Sequence, residues 1–94
     1  MTFTRIDPNT VQSNGGFTVQ AVRIHDVKYS NALHSVTIPG EILVGDPAYV
    51  IYLSALKRWD PPGSQTSIDP AEKKEIADNV VQALQFMGVR FVVE

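Results

Sequence analysis

The sequence predicts an α+β fold: one small domain, residues 1–94, in which a mostly antiparallel sheet of four to six strands carries one helix on one face. Three observations predict it. Short runs rich in β-branched and aromatic residues, separated by turn residues, fill the first half of the chain. One later stretch, about residues 70–87, has helical periodicity. An apolar run over 89–93 then closes the chain as a final strand.

Composition narrows the class of protein. The chain has 94 residues, 44% of them apolar, and no cysteine, so one hydrophobic core is expected without disulfides. A formal net charge of −2 does not favour a positively charged surface that binds a phosphate backbone, so nucleic acid is not an expected partner. No apolar run approaches the ~20 residues that span a membrane, and no secretory signal is recognisable. We therefore expect a cytoplasmic protein.

The N-terminal segment has the composition of turns. Phe3, Ile6 and Val11 are scattered among Asp7-Pro8-Asn9-Thr10, and Ser13-Asn14-Gly15-Gly16 follows. We expect residues 1–16 to form a loop-like arm with one short edge strand.

The first strand is expected over 17–24, where β-branched residues roughly alternate with polar ones. A turn over 28–31 would return the chain as a second strand over 32–38. In that hairpin His25 lies directly opposite His34, on one face of the sheet.

Two further strands are expected before the helix. Pro39-Gly40 interrupts the second strand and predicts a bend or a wider loop. Residues 41–44 and 49–53 read as strands, with a turn at 45–47 between them. The run 49–53 is apolar on both faces, which is typical of a central strand. If the helix covers one face of it, Tyr52 becomes a surface aromatic on the other.

The helix has clear local signals. Asp69 is the expected N-cap, Pro70 the first helical residue and Glu72 the partner in a capping box, and Gly88 ends the helix. The apolar stripe comprises Ile76, Ala77, Val80, Ala83, Leu84 and Met87. With the strands before and after it the helix makes a β-α-β unit, which implies a mixed sheet.

No catalytic group is recognisable, so we expect no catalytic residue, cofactor or metal. The serines lack a nucleophile elbow, and there is no cysteine. His25 and His34 lack a third ligand, because Asp26 would point to the opposite face of the strand. The alternative hypothesis is a metal-dependent enzyme or small-ligand binder that uses these two histidines.

A rigid cassette, Arg58-Trp59-Asp60-Pro61-Pro62-Gly63, precedes the helix. Trp59, the only tryptophan, fits two interpretations: a structural plug beneath the loop 55–68, or an anchor for a partner that two prolines keep ordered. We expect five residues to bind a partner: Tyr49, Tyr52, Arg58, Trp59 and Asp60. Tyr, Trp and Arg are enriched at interface hot spots, and Asp60 lies next to Trp59.

The order of these motifs resembles a family of small immunity proteins from bacterial polymorphic toxin systems. The resemblance covers residues 36–94 and rests on the segments 38–45, 49–52 and 58–62, with Ile68 leading into the capped helix. Its most specific piece is Trp-Asp-Pro-Pro after an aliphatic-tyrosine strand. The positions that match the pattern are Gly40, Glu41, Gly45, Tyr52, Trp59, Asp60, Pro61 and Pro62.

The resemblance implies a non-enzymatic protein that binds a cognate toxin domain and blocks its active site or its folding. The toxin would be held by stoichiometric protein–protein interaction. A further alternative is a homo-oligomeric module, such as a homodimer, in which the edge strand 17–24 or 89–93 pairs with a second copy.

Overall fold

The described part of the chain forms two β-sheets and one α-helix around a shared hydrophobic core. The structure is a computed structural model that describes residues 2–22, 26–42, 49–61, 66–88 and 90–94. The five-stranded sheet is an antiparallel meander of β1 (Phe3–Asp7), β2 (Thr10–Ser13), β3 (Thr18–Val22), β4 (Asp26–Ser30) and β5 (Ser35–Ile38).

The three-stranded sheet has the order β6-β7-β8 and comprises β6 (Gly40–Ile42), β7 (Tyr49–Ile51) and β8 (Phe91–Val93). The helix α1 spans Pro70–Met87, and a 3₁₀ turn spans Leu53–Ala55. The predicted fold class, a small α+β domain with a mostly antiparallel sheet and one C-terminal helix, is confirmed.

The five-stranded sheet has an apolar inner face and a polar outer face, because alternate residues of a strand point to opposite sides. The inner row that crosses β2 to β5 is Val11, Val19, Tyr29 and Val36, all of them buried. The matching outer row is Gln12, Thr18, Ser30 and Ser35, none of them buried. The inner face is therefore the surface on which the helix can pack.

The helix begins and ends where the sequence predicts. The Asp69 carboxylate accepts from the Glu72 N–H at 2.8 Å, and the Asp69 N–H donates to the Glu72 carboxylate at 3.2 Å, which completes the capping box. Pro70 is the first helical residue. Gly88 ends the helix with φ 78°, a left-handed conformation that glycine adopts without strain.

The helix packs against the inner face of the five-stranded sheet. Its buried apolar residues are Ile76, Val80, Ala83 and Leu84. Asn79 is buried on the same side of the helix and donates its side-chain N–H to the Tyr29 hydroxyl at 3.1 Å. At the C-terminal end of the helix, the ring of Phe86 lies 5.4 Å from that of Phe3. A polar bond and a ring contact thus fix the helix on β1 and β4.

The predicted β-α-β unit is confirmed. β7 precedes α1, β8 follows it, and the two strands pair in parallel with Tyr49 opposite Phe91 and Ile51 opposite Val93. β7 is the central strand of its sheet, as its apolar run predicts. The strands are shorter than expected, because Leu53 belongs to the 3₁₀ turn and Arg90 precedes β8. Val89 lies outside the described residues.

Pro39 separates the two sheets. Ile38 ends β5 and Gly40 begins β6, so the predicted bend at Pro39-Gly40 is confirmed. Proline has no N–H to continue a ladder, which favours a change of sheet at this point. The Pro39 carbonyl instead accepts from the Tyr52 N–H at 2.9 Å. The strands therefore divide between two sheets, where the sequence pattern indicated one mixed sheet.

The expectation of a loop-like arm over residues 1–16 is corrected, because this segment contains β1 and β2. The hairpin turn is the one its composition suggests, with the Asp7 carboxylate accepting from the Asn9 N–H at 2.8 Å. Apolar residues of both strands pack against the core: Val11 of β2 is fully buried, and the Phe3 ring of β1 lies 5.9 Å from that of Phe17. Burial of these side chains stabilises strands that local composition does not indicate.

The predicted turn over 28–31 is wrong, because these residues belong largely to β4. Burial of Tyr29 keeps this segment in the sheet. The turn lies at residues 31–34, where the Asn31 side-chain oxygen accepts from the N–H groups of Leu33 and His34 at 2.9 and 2.8 Å. His34 therefore lies across the turn from Asn31. His25, its predicted neighbour, lies outside the described residues.

Tyr29→Phe should lower the free energy of unfolding by about 1–3 kcal/mol, because it leaves the buried Asn79 N–H without its acceptor. Urea unfolding at neutral pH measures the change. In an Asn79→Ala background the same substitution should lower stability less, since the bond is already lost. Equal losses in the two backgrounds would contradict the importance of this bond.

The same variant should also change the response to alkali. Burial is the main cause that raises the pKa of the Tyr29 hydroxyl above 10.0. The Asn79 hydrogen bond opposes this rise, and the negative charge of Glu75 adds to it. A raised folded-state pKa stabilises the fold below the unfolded pKa, and this contribution is lost as the pH rises through the folded value. Wild-type stability should therefore fall more steeply above pH ~10 than that of Tyr29→Phe.

Candidate functional site

Trp59 lies in the hydrophobic core. Its side chain is 3% exposed and packs in the cluster that also contains Leu53, Leu56 and Ile68. The indole stacks on the His34 ring, with centroids 5.1 Å apart and planes at 27°. Its buried Nε1 has no hydrogen-bond partner among the described residues. This is the position that the structural-plug interpretation of Trp59 predicts.

Backbone hydrogen bonds fix the cassette on both sides. The Asp60 N–H donates to the Ser35 carbonyl at 2.7 Å, and the Thr37 hydroxyl donates to the Asp60 carboxylate at 2.8 Å. Because Ser35 and Thr37 belong to β5, an edge strand of the five-stranded sheet, the cassette covers part of that edge. On the other side, the Trp59 N–H donates to the Thr66 carbonyl at 3.4 Å.

A cavity of about 270 Å³ lies where the cassette meets the turn between β4 and β5. We call it the Asp60 cleft. Its polar lining residues include Lys28, Ser30, Asn31, His34, Ser35 and Asp60. Lys28, Ser30 and Ser35 come from the outer face of the five-stranded sheet, so the cleft opens on the polar side of the sheet. It offers hydrogen-bond donors and acceptors with one positive and one negative side chain.

Leu33 also lines the Asp60 cleft and is the residue that sequence reasoning missed. It is 83% exposed, the most exposed large apolar side chain in the described part of the chain. An isolated exposed leucine is ordinary, but one beside a polar cleft resembles the apolar centre of a binding surface. Asn31, a turn former two residues earlier, is the sequence signal that would have placed Leu33 at a turn.

The expected partner-binding residues fall into two groups. Arg58 is exposed and pairs with Ser67 in an isolated antiparallel bridge, next to Trp59 and Asp60 in the cassette. Tyr49 and Tyr52 instead belong to the three-stranded sheet, within β7 and just after it. The structure therefore brings Asp60 to the cleft, keeps Trp59 beneath the surface, and assigns the two tyrosines to the other sheet.

Tyr52 follows β7 directly and is half-buried, whereas the preceding residue Ile51 is buried in the core. A hydrogen bond with Glu41 raises the pKa of the Tyr52 hydroxyl above its usual value, and desolvation and the negative charges of Glu41 and Glu94 act in the same direction. The neighbouring carboxylates therefore favour the neutral form of the Tyr52 hydroxyl.

Among the residues that the structure describes, no group of three or more His, Cys, Asp or Glu is arranged to hold a metal ion. His34 stacks on Trp59, and the turn that was expected to set it opposite His25 is not formed. Within the same described ranges, no helix has the length and apolar content needed to cross a membrane.

The family described as Immunity protein 74 matches residues 21–94 of this chain. The matched segment begins within β3 and includes the cassette, the Asp60 cleft and the helix. β1 and β2 precede it, although Val11 is fully buried in the core. No curated protein and no solved structure matches the chain.

Trp59→Ala should lower the free energy of unfolding by about 3–5 kcal/mol, the range for removing a large buried aromatic. Trp59→Phe should lower it much less, since Phe keeps a ring against His34 and the lost Nε1 had no partner in the described structure. Urea unfolding of both variants measures the difference. An unchanged stability in Trp59→Ala would show that the indole is not part of the core.

Proposed function

Because the chain belongs to the Immunity protein 74 family, we propose that it binds a cognate bacterial toxin domain one to one and thereby neutralises it. The match over residues 21–94 is the observation that carries this proposal. The role is stoichiometric inhibition and not catalysis. Binding takes place in the cytoplasm, where an immunity protein protects the cell that makes or receives the toxin.

The Asp60 cleft is the proposed contact surface. It lies within the segment that matches the family, it is concave, and it combines polar groups of both charges with the exposed Leu33. Interfaces are typically organised in this way, with an apolar anchor and polar groups around it. In this arrangement Leu33 enters an apolar pocket of the toxin, while Lys28 and Asp60 fix the orientation of the complex.

Trp59 supports this surface from below. Its ring stacks on that of His34, and the hydrogen bonds of Asp60 to β5 hold the cassette against the sheet. A surface that is rigid before binding loses less conformational entropy when the complex forms. Trp59 therefore contributes to binding by positioning its neighbours, and Asp60 contributes by contact. Arg58, next in the chain and exposed, extends the contact surface.

Tyr49 and Tyr52 remain predicted contacts on the three-stranded sheet. An interface of ordinary size covers about 800 Å² on each partner, so one toxin domain can reach beyond a single cleft.

Co-expression with the toxin encoded beside this chain's gene should restore growth, and the two proteins should co-purify one to one. Light scattering of the purified complex gives the stoichiometry and shows whether the chain alone is a monomer or a homodimer. Growth that recovers without any detectable complex would contradict neutralisation by binding.

Leu33→Asp should weaken toxin binding about tenfold or more, because a charge replaces the apolar anchor of the contact. Ile6→Asp is the matched control: Ile6 is 57% exposed, but it lies on β1, outside the segment that matches the family. Both variants should keep the wild-type thermal stability. Titration calorimetry against the toxin measures the affinities, and equal affinities of the two variants would remove the Asp60 cleft from the interface.

A further inference from the structure

A second surface depression lies at the other sheet, between the first half of α1, the 3₁₀ turn and the end of β8. We call it the Lys73 groove. Its volume is about 420 Å³, and its lining includes Leu53, Ile68, Lys73, Lys74, Ala77 and Val93. This volume is within the ~300–1,000 Å³ range of ligand pockets and exceeds that of the Asp60 cleft.

The floor of the Lys73 groove is apolar and fixed. Leu53 and Ile68, 4% and 7% exposed, belong to the hydrophobic core, so the floor is the outer limit of that core. Val93 is 41% exposed and leaves apolar surface open within the groove. The Ser54 N–H donates to the Glu94 carbonyl at 3.0 Å and ties the 3₁₀ turn to the end of β8. The depression is therefore part of the folded framework.

The helical side of the groove is positively charged. Pro70, Lys73, Lys74 and Ala77 have the spacing i, i+3, i+4, i+7, which places them on one face of α1. This puts two adjacent ammonium groups beside an apolar depression, in a protein whose formal net charge is −2. Glu94 also lines the groove, so its charged lining residues are two lysines and one glutamate.

We propose that the Lys73 groove is a second contact with the toxin and that it takes an acidic segment carrying a bulky apolar side chain. The apolar side chain fills the depression over Leu53 and Ile68, and neighbouring carboxylates pair with Lys73 and Lys74. Charge complementarity selects an acidic segment, because the groove has an excess of positive charge. The inference rests on the proposed function, since the toxin is the partner.

Other occupants fit this surface less well. Two lysines on an acidic protein are too few for a path along a phosphate backbone. A small molecule needs convergent polar groups for its orientation, and the lining named here is mainly apolar.

Two adjacent valines provide a matched test. Val92 and Val93 are neighbours on β8 with exposures of 39% and 41%, but only Val93 lines the groove. They pair with Val50 and Ile51, respectively, and so lie on opposite sides of the sheet. Val93→Asp should weaken toxin binding tenfold or more, and Val92→Asp should change it less than twofold.

Lys74→Glu and Lys57→Glu form a second pair that tests the charge. Both lysines are exposed and both substitutions change the charge equally, but only Lys74 lines the groove. Lys74→Glu should weaken binding about fivefold at low salt and less at high salt, because salt screens charge pairs. Lys57→Glu should bind as the wild type does. This pair does not depend on the folding of Val93→Asp, since Lys74 is on the surface.

Titration calorimetry of the four variants with the toxin separates the possible outcomes. Selective loss in Val93→Asp and Lys74→Glu supports the Lys73 groove as a contact. If these two variants bind like their controls while the wild-type complex forms, the groove proposal is wrong and the proposed function stands. If Val92→Asp loses as much affinity as Val93→Asp, the groove is not the contact. If the wild-type protein forms no complex, the proposed function fails and the groove proposal fails with it.

Discussion

The attachment of the cassette to β5 is the constraint on which the rest of the structure depends. The Asp60 N–H bonds the Ser35 carbonyl at the sheet edge, while the adjacent Trp59 side chain is buried among residues of the 3₁₀ turn and the segment before α1. One short segment thus covers an open edge, completes the core and forms one wall of the Asp60 cleft. If it detached from β5, all three features would be disturbed together.

In this arrangement a residue of the Trp-Asp-Pro-Pro motif is buried while its neighbours stay accessible. Trp59 belongs to the most specific motif of the resemblance, but a side chain that is 3% exposed has almost no area to offer. The accessible groups are its neighbours: Asp60 beside it in the chain and Leu33 from a distant turn. Trp59 can therefore act on a partner only through the neighbours that it positions.

The helix could be predicted from the sequence because its signals are local: Asp69, Pro70 and Gly88 act within one turn of its ends. The arm and the β4–β5 turn could not, because burial against the helix, and not local composition, keeps Val11 and Tyr29 in strands. The Asp60 cleft depends on a contact between two segments far apart in sequence, which no pattern within either segment indicates. For Trp59 the sequence left two interpretations open, and its burial in the core fits the structural plug.

We propose that this chain binds a toxin through the Asp60 cleft. Amide hydrogen exchange of the chain, alone and with a toxin domain that it neutralises, tests this contact surface. Contact at the cleft predicts slower exchange on binding at residues 30–35 and at Asp60, which line the cleft. A stable complex in which exchange at these positions is unchanged, with protection confined to the outer strand β1, would contradict it.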